Sequence, residues 1–154
     1  MEQLPNDLKN IIIDYIIFKP KSKDKLQEAV DLWCENKEEA LNKYGYIKNW
    51  DTSLIEDMSR LFYRAGLFNE DISDWDVSNV KNMSFMFNDA TNFNQPLSSW
   101  DVSSVINMEY MFTDATNFNQ QLNSWNVSNV ENMRNMFDDA ASFDKRNALW
   151  YDFN

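Results

Sequence analysis

A tryptophan recurs every 25 residues from position 50 to position 150, without an insertion or a deletion. Residues 75–99 read WDVSNVKNMSFMFNDATNFNQPLSS, and residues 100–124 read WDVSSVINMEYMFTDATNFNQQLNS. Periods of 20–29 residues are typical of repeat proteins whose units stack on their neighbours. One such unit buries too little apolar surface to fold alone, so the chain must form a stack of copies.

The spacing of apolar residues within a copy predicts an α/β repeat solenoid that is leucine-rich-repeat-like. In Leu97-x-x-Trp100-x-Val102 the apolar side chains alternate with polar ones, which favours a short strand. Apolar residues then follow at steps of three and four, which favours short α or 3₁₀ turns. We therefore expect short parallel strands on one wall and turns on the other, with Ser53 to Glu56 and Ser128 to Glu131 as helix-starting capping boxes.

The segment before the repeats has a helical pattern. Residues 22–44 place apolar residues on one face, with Asp24 as the expected N-cap, Gly45 as the expected end and a change of face at 35–36. We expect this segment to cover the first repeat. The predicted organisation is an amphipathic helix at 1–17, a helical cap at 18–46, and four repeats with a degenerate closing strand at 47–154.

Composition excludes several classes of function. The net charge is −11, and residues 50–154 alone carry a net charge of −10. This negative charge disfavours binding to nucleic acid and to anionic membranes. The chain has no histidine and one cysteine, Cys34, so neither His-based catalysis nor a disulfide framework is available. No apolar run is long enough for a membrane span, and no signal peptide is recognisable, which predicts an intracellular, soluble protein. We expect no enzyme activity, cofactor or metal.

Each repeat carries an Asp or Asn directly after its tryptophan and a Ser two residues later. Such a carboxylate can accept from nearby backbone N–H groups as an Asx-turn, or it can join its neighbours to bind a cation or a partner. We expect the turn to be its main role and the polar face to be the partner-binding surface. The candidate partner-binding residues are Asp51, Asp76, Ser78, Ser98, Ser99, Asp101, Ser103, Asn123, Ser124 and Asn126.

The segments "FNEDISDWDVSNVKNMSFMF" and "FNQPLSSWDVSSVINMEYMF" resemble the bacterial surface protein repeat family. The resemblance covers about residues 18–146. That family is grouped with BspA-like leucine-rich repeats, so the resemblance implies a solenoid used for adhesion or protein binding, without a common catalytic site.

The segment "LPNDLKNIIIDYI" at 4–16 is similar to the first helix of an F-box. This resemblance implies docking on the adaptor of a cullin-type ubiquitin ligase, with the repeats selecting the substrate. The combination would suit a large DNA virus or a protist, with the host cytoplasm as its location. The implied adaptor-binding residues are Leu4, Pro5, Leu8, Ile12 and Tyr15.

These observations lead us to expect a non-enzymatic protein–protein interaction module. A polar, acidic face predicts a basic or amide-rich protein partner. An F-box-type substrate receptor and a surface adhesion protein are the alternatives.

Overall fold

The computed structural model describes residues 17–153, which begin with two helices. Helix α1 spans Lys23–Glu35, and helix α2 spans Lys37–Tyr44. The predicted helical segment and its division at Asn36 are confirmed, and α2 ends at Gly45, whose φ of 70° suits glycine. The predicted N-cap is wrong by two positions, because the side chain of Ser22 accepts the Lys25 N–H.

The 25-residue copies stack on one another, but they are not an α/β solenoid. Within residues 17–153 no run forms a β-strand, and isolated parallel bridges join the copies at Asp57–Asn82, Asn82–Asn107 and Asn107–Asn132. Two short 3₁₀ turns, Ile47–Asn49 and Lys145–Asn147, are the only helical elements of this part apart from α1 and α2. The prediction of short parallel strands facing helical turns is therefore wrong.

Local hydrogen bonds on the tryptophan wall explain why no strand forms there. The N–H of Trp100 donates to the carbonyl of Leu97 at 3.1 Å, and the N–H of Val105 donates to Val102 at 3.0 Å. These groups close turns within their own repeat, so they cannot pair with the next copy as a ladder requires. No helix begins at Ser53 or Ser128, so the predicted capping boxes are also absent from the described structure.

The ladder between repeats lies on the opposite wall, and it requires a left-handed backbone. The N–H groups of Met58, Arg60, Phe62 and Arg64 donate to carbonyls of the next repeat at 2.8–2.9 Å. The N–H groups between them close turns inside the repeat, and the backbone reverses into the left-handed region at every fourth residue of this wall. The reversal places Arg60 and Arg64 at φ 60°, and it recurs in the later repeats at Phe85, Asp89, Tyr110, Asp114, Asn135 and Asp139.

Aromatic rings fill the interior in two parallel columns. One column contains Phe62, Phe87, Phe112 and Phe137, whose ring centroids are 5.3–5.6 Å apart. The second contains Phe68, Phe93, Phe118 and Phe143 at 5.8–6.0 Å. Rings of the two columns stack within each repeat at 4.1–4.2 Å, so every ring contacts neighbours along and across the stack.

The repeated tryptophans also tie each copy to the preceding one. The indole Nε1 of Trp75 donates to the carbonyl of Ile47, and that of Trp100 donates to Ile72 at 3.1 Å. Trp125 and Trp150 repeat the bond to Leu97 and Leu122, 28 residues earlier. Since only tryptophan combines a large apolar ring with this donor, the bond explains the residue type at the head of each repeat.

The helical cap covers one end of the stack, and aromatic rings near the C-terminus cover part of the other. Helix α1 buries Leu26, Ala29, Val30 and Trp33, and the Gln27 side chain donates to the carbonyl of Leu61 in the first repeat at 3.0 Å. At the other end the rings of Tyr151 and Phe153 pack on Phe137, and the Tyr151 hydroxyl accepts the Met136 N–H at 3.3 Å. The expected helical cap over the first repeat therefore agrees with these contacts.

Replacing Trp100 by Phe should remove the indole donor while keeping an aromatic ring. Because the Ile72 carbonyl then keeps only its bond from the Trp75 N–H and the smaller ring leaves a cavity, we expect the free energy of unfolding to fall by about 1–3 kcal/mol. Urea unfolding followed by circular dichroism measures the loss. Leu67→Ala is the control, since a side chain that is 91% exposed should change stability by less than about 0.5 kcal/mol. An unchanged urea midpoint for Trp100→Phe would contradict the role given to the indole bond.

Candidate functional site: the polar face of the repeats

The Asp–Ser pairs of the polar face form one repeated hydrogen-bonded turn. In Asp76 and in Asp101, Oδ1 accepts the N–H of the Ser two residues later at 3.0 Å and its Oγ–H at 2.6 Å. Asp51 makes the same pair of bonds to Ser53. Asn126 accepts only the Ser128 N–H, at 3.2 Å. The predicted Asx-turn is confirmed in all four copies, and it orients each side chain in the same way.

The first carboxylate of the series is neutralised inside the molecule. Asp51 pairs with the Lys19 ammonium at 2.7 Å, and hydrogen bonds from Lys19 and Ser53 lower the pKa of Asp51 to about 2. In the third copy, hydrogen bonds from the Ser103 hydroxyl and N–H lower the pKa of Asp101. Asp51 is therefore paired with a lysine, whereas Asp101 is ionised and forms no ion pair with any cation of residues 17–153.

Asp76 and Asp101 form the open part of this face. Both residues are exposed, and within residues 17–153 neither Oδ2 atom has a hydrogen-bond partner or an ion pair. Each carboxylate thus has one oxygen that holds the turn and one oxygen that faces solvent. An arrangement of this kind can accept hydrogen bonds from a cationic or amide-bearing partner.

Several predicted site residues are engaged within the stack. The hydroxyl of Ser99 donates to the Ser73 carbonyl at 3.0 Å, and that of Ser124 donates to Ser98 at 2.9 Å. The Asn123 side chain donates to the Arg146 carbonyl and accepts the Leu149 N–H. These side chains join neighbouring copies, and the structure does not bring them together with the carboxylates as one site.

A row of hydrogen-bonded side-chain amides runs along the corner of the stack, and it was not predicted from the sequence. Asn69, Asn94 and Asn119 each accept, through Oδ1, the backbone N–H of the residue 25 positions later at 2.9–3.0 Å. Gln95 and Gln120 add bonds from their Nε2 atoms to the same asparagines. The Phe-Asn pair repeated at 25-residue spacing was the signal that could have identified this row.

Cys34 is not an activated nucleophile. Burial of its thiol and the negative charges of Asp31 and Glu35 raise the pKa of Cys34 to about 11. The residue as a whole is exposed, but its sulfur is in the neutral thiol form at neutral pH. Within residues 17–153 no three carboxylate or cysteine groups are arranged to hold a metal ion.

The proposed adaptor-binding residues Leu4, Pro5, Leu8, Ile12 and Tyr15 lie outside the described residues, so the F-box interpretation stays a prediction. None of the helices in the described part of the chain is long and apolar enough to cross a bilayer.

The fold and the polar face together define a repeat protein built from stacked 25-residue units. Residues 31–150 match the family described as "Mycoplasma protein of unknown function, DUF285", and the chain belongs to that family. The match contains α2 and all four repeats. No curated protein and no solved structure matches the chain. The family description assigns no function to its members.

Replacing Asp51 by Asn should remove the ion pair with Lys19 while keeping the turn, as Asn126 does in the fourth copy. The pKa of Asp51 is lowered from 3.8 to about 2, so its stabilising effect is present above about pH 4 and is lost as the pH falls through 2. Its side chain is 32% exposed, so we expect a loss of only about 0.5–1 kcal/mol at pH 7 and almost none near pH 2. Urea unfolding at both pH values is the test, and an equal loss at both would contradict it.

The raised pKa of Cys34 predicts slow reaction with disulfide reagents. A shift from 9.0 to about 11 leaves about 100-fold less thiolate at pH 8, and the greater nucleophilicity of that thiolate restores about tenfold. Ellman's reagent should thus react about tenfold more slowly with the folded chain than with the chain in 8 M urea. A folded protein that reacts faster than the unfolded one would show that the thiol is activated.

Proposed function

We propose that the protein is a non-enzymatic interaction module that binds a basic or amide-rich segment of a partner protein. The observation that carries the proposal is the pair of exposed carboxylates of Asp76 and Asp101, whose Oδ2 atoms are open in consecutive repeats. Residues 50–154 carry a net charge of −10, so the whole stack favours the approach of a cation.

The rigidity of the turns supports this proposal. Each carboxylate is held by two hydrogen bonds from its own serine, so little side-chain freedom is lost when a partner binds. The spacing between neighbouring copies is given by the ring centroids of the Phe62 column, which are 5.3–5.6 Å apart. An extended peptide places alternate side chains about 6.6 Å apart, and flexible Lys or Arg side chains can adjust to that difference. The favoured ligand is therefore an extended segment with a cation at every second residue.

Asp76→Asn/Asp101→Asn tests the proposal without removing the turns, since asparagine holds the same turn at Asn126. The probe is fluorescein-labelled (Arg-Asn)₄ amide, measured by fluorescence polarisation with the full chain at 20 mM NaCl. We expect the Kd to rise about three- to tenfold, because each exposed ion pair contributes about 0.2–1 kcal/mol.

The matched control is Asp89→Asn/Asp114→Asn, which removes the same charge from another wall of the same repeats. Measured at the same 20 mM NaCl, this variant should weaken binding less than Asp76→Asn/Asp101→Asn does. If both double variants weaken binding equally, the peptide responds only to net charge, and the proposed surface is wrong.

A further inference from the structure

The outer end of the fourth repeat presents an open row of backbone hydrogen-bond donors. In the third repeat, alternate N–H groups of the ladder donate to carbonyls of the fourth repeat at 2.8–2.9 Å. These groups belong to Met108, Tyr110, Phe112 and Asp114. The groups 25 positions later belong to Met133, Asn135, Phe137 and Asp139. Within residues 17–153 none of these later N–H groups has an acceptor, so the ladder ends in a row of unused donors.

The apolar residues of the same end are less covered than their counterparts inside the stack. The third repeat buries three of them to 1% exposure or less, namely Val102, Val105 and Met108. In the fourth repeat the same positions are only half-buried, and they are Val127, Val130 and Met133. Inside the stack it is the following copy that completes this burial. The outer end of the fourth repeat therefore continues the interface that joins each copy to the next one.

Tyr151 and Phe153 cover the aromatic columns at this end without supplying acceptors to the donor row. The Phe153 ring lies 5.7 Å from the Phe137 ring and 6.3 Å from the Phe143 ring. Rings of adjacent copies in the same columns are 5.3–6.0 Å apart, so Phe153 lies about where a further copy would place its phenylalanines. The Tyr151 hydroxyl accepts the Met136 N–H, which is not part of the donor row. A segment that brings both rings and carbonyls replaces these contacts and adds the hydrogen bonds that they lack.

A second copy of this chain does not complement the open end. Two such ends placed face to face bring the N–H rows against each other, and donors cannot bond to donors. A head-to-tail arrangement needs the carbonyl edge of the first repeat, which α1 covers. The Leu61 carbonyl of that edge already accepts from Gln27 at 3.0 Å, and beside it the Lys23 ammonium contacts the Asp57 carboxylate at 3.3 Å. The complementary partner is therefore a repeat unit whose carbonyl edge is not covered by a helix.

We propose that the outer end of the fourth repeat binds an uncapped 25-residue repeat unit of the same type that belongs to another polypeptide chain. Alternate carbonyls of this unit accept from the N–H row that runs from Met133 to Asp139. Its valine and methionine side chains cover Val127 and Val130, and its phenylalanines take the place of Phe153. These contacts do not involve the Asp76–Asp101 face, so the inference does not rest on the proposed function.

The probe is a fluorescein-labelled peptide with the sequence of residues 102–122, titrated into the full chain at 150 mM NaCl. We expect saturable binding by fluorescence polarisation, and no binding of a peptide with the same composition in scrambled order. Hydrogen exchange followed by ¹H–¹⁵N NMR reports on the donors themselves. At saturation the amides of Met133, Asn135, Phe137 and Asp139 should exchange at least about tenfold more slowly, because each gains an acceptor. The amides of Met108 and Tyr110, which are already bonded, should keep their rates.

Val130→Asp should raise the Kd at least about fivefold, because it places a charge in the apolar part of the contact. Ile106→Asp is the matched control, since it adds the same charge at a side chain of the third repeat that is 41% exposed. This control and Asp76→Asn/Asp101→Asn should each change the Kd by less than about twofold, because salt screens exposed charges.

Phe153→Ser should lower the Kd, because the ring that occupies the place of the peptide is removed. The exchange measurement uses the wild-type chain, so it decides the proposal even where a variant loses its fold. Absence of saturable binding, equal effects of Val130→Asp and Ile106→Asp, or unchanged exchange of the four amides at saturation would overturn the proposal.

Discussion

The structure depends on backbone hydrogen bonds that run from one repeat to the next on a single wall. Alternate N–H groups, such as those of Phe62 and Phe87, donate to the following copy, while the N–H groups between them close turns inside the copy. This pattern requires a left-handed backbone at non-glycine residues such as Phe85 and Tyr110, at a cost of order 1–3 kcal/mol each. The stacked phenylalanine columns and the ladder itself offset that cost, and neither exists in an isolated repeat.

The same stacking determines which polar side chains remain open to a partner. Ser99, Ser124 and the asparagines at the corner satisfy backbone groups of adjacent copies, so their first role is to hold the stack together. Asp76 and Asp101 satisfy their own turns with one oxygen and keep the other in solvent. The surface suited to binding is therefore smaller than the polar face. It consists of the polar atoms that the hydrogen bonds within and between the repeats do not use.

The ends of the stack differ from its middle in how the tryptophan indoles are satisfied. A middle repeat such as that of Trp100 gives its indole hydrogen to a carbonyl of the preceding copy. Trp33 lies in a helix of the cap instead, and no carbonyl of residues 17–153 accepts its indole hydrogen. The helix thus covers the apolar end of the first repeat without supplying the indole-to-carbonyl bond that each middle repeat supplies.

The amino-acid sequence by itself determined the 25-residue period, the stacking of the copies, the burial of residues such as Trp100 and Met108, the Asx-turns, and the two helices of the cap. Each follows from spacing and local hydrogen-bonding capacity, which are readable along one chain. Only the tertiary structure decided which wall carries the ladder. Alternation around Leu97 and Trp100 favoured a strand, but their N–H groups close local turns, and the bonds between copies form where Phe85 and Tyr110 adopt a left-handed backbone. That choice depends on contacts between residues 25 positions apart, so local propensity could not reveal it.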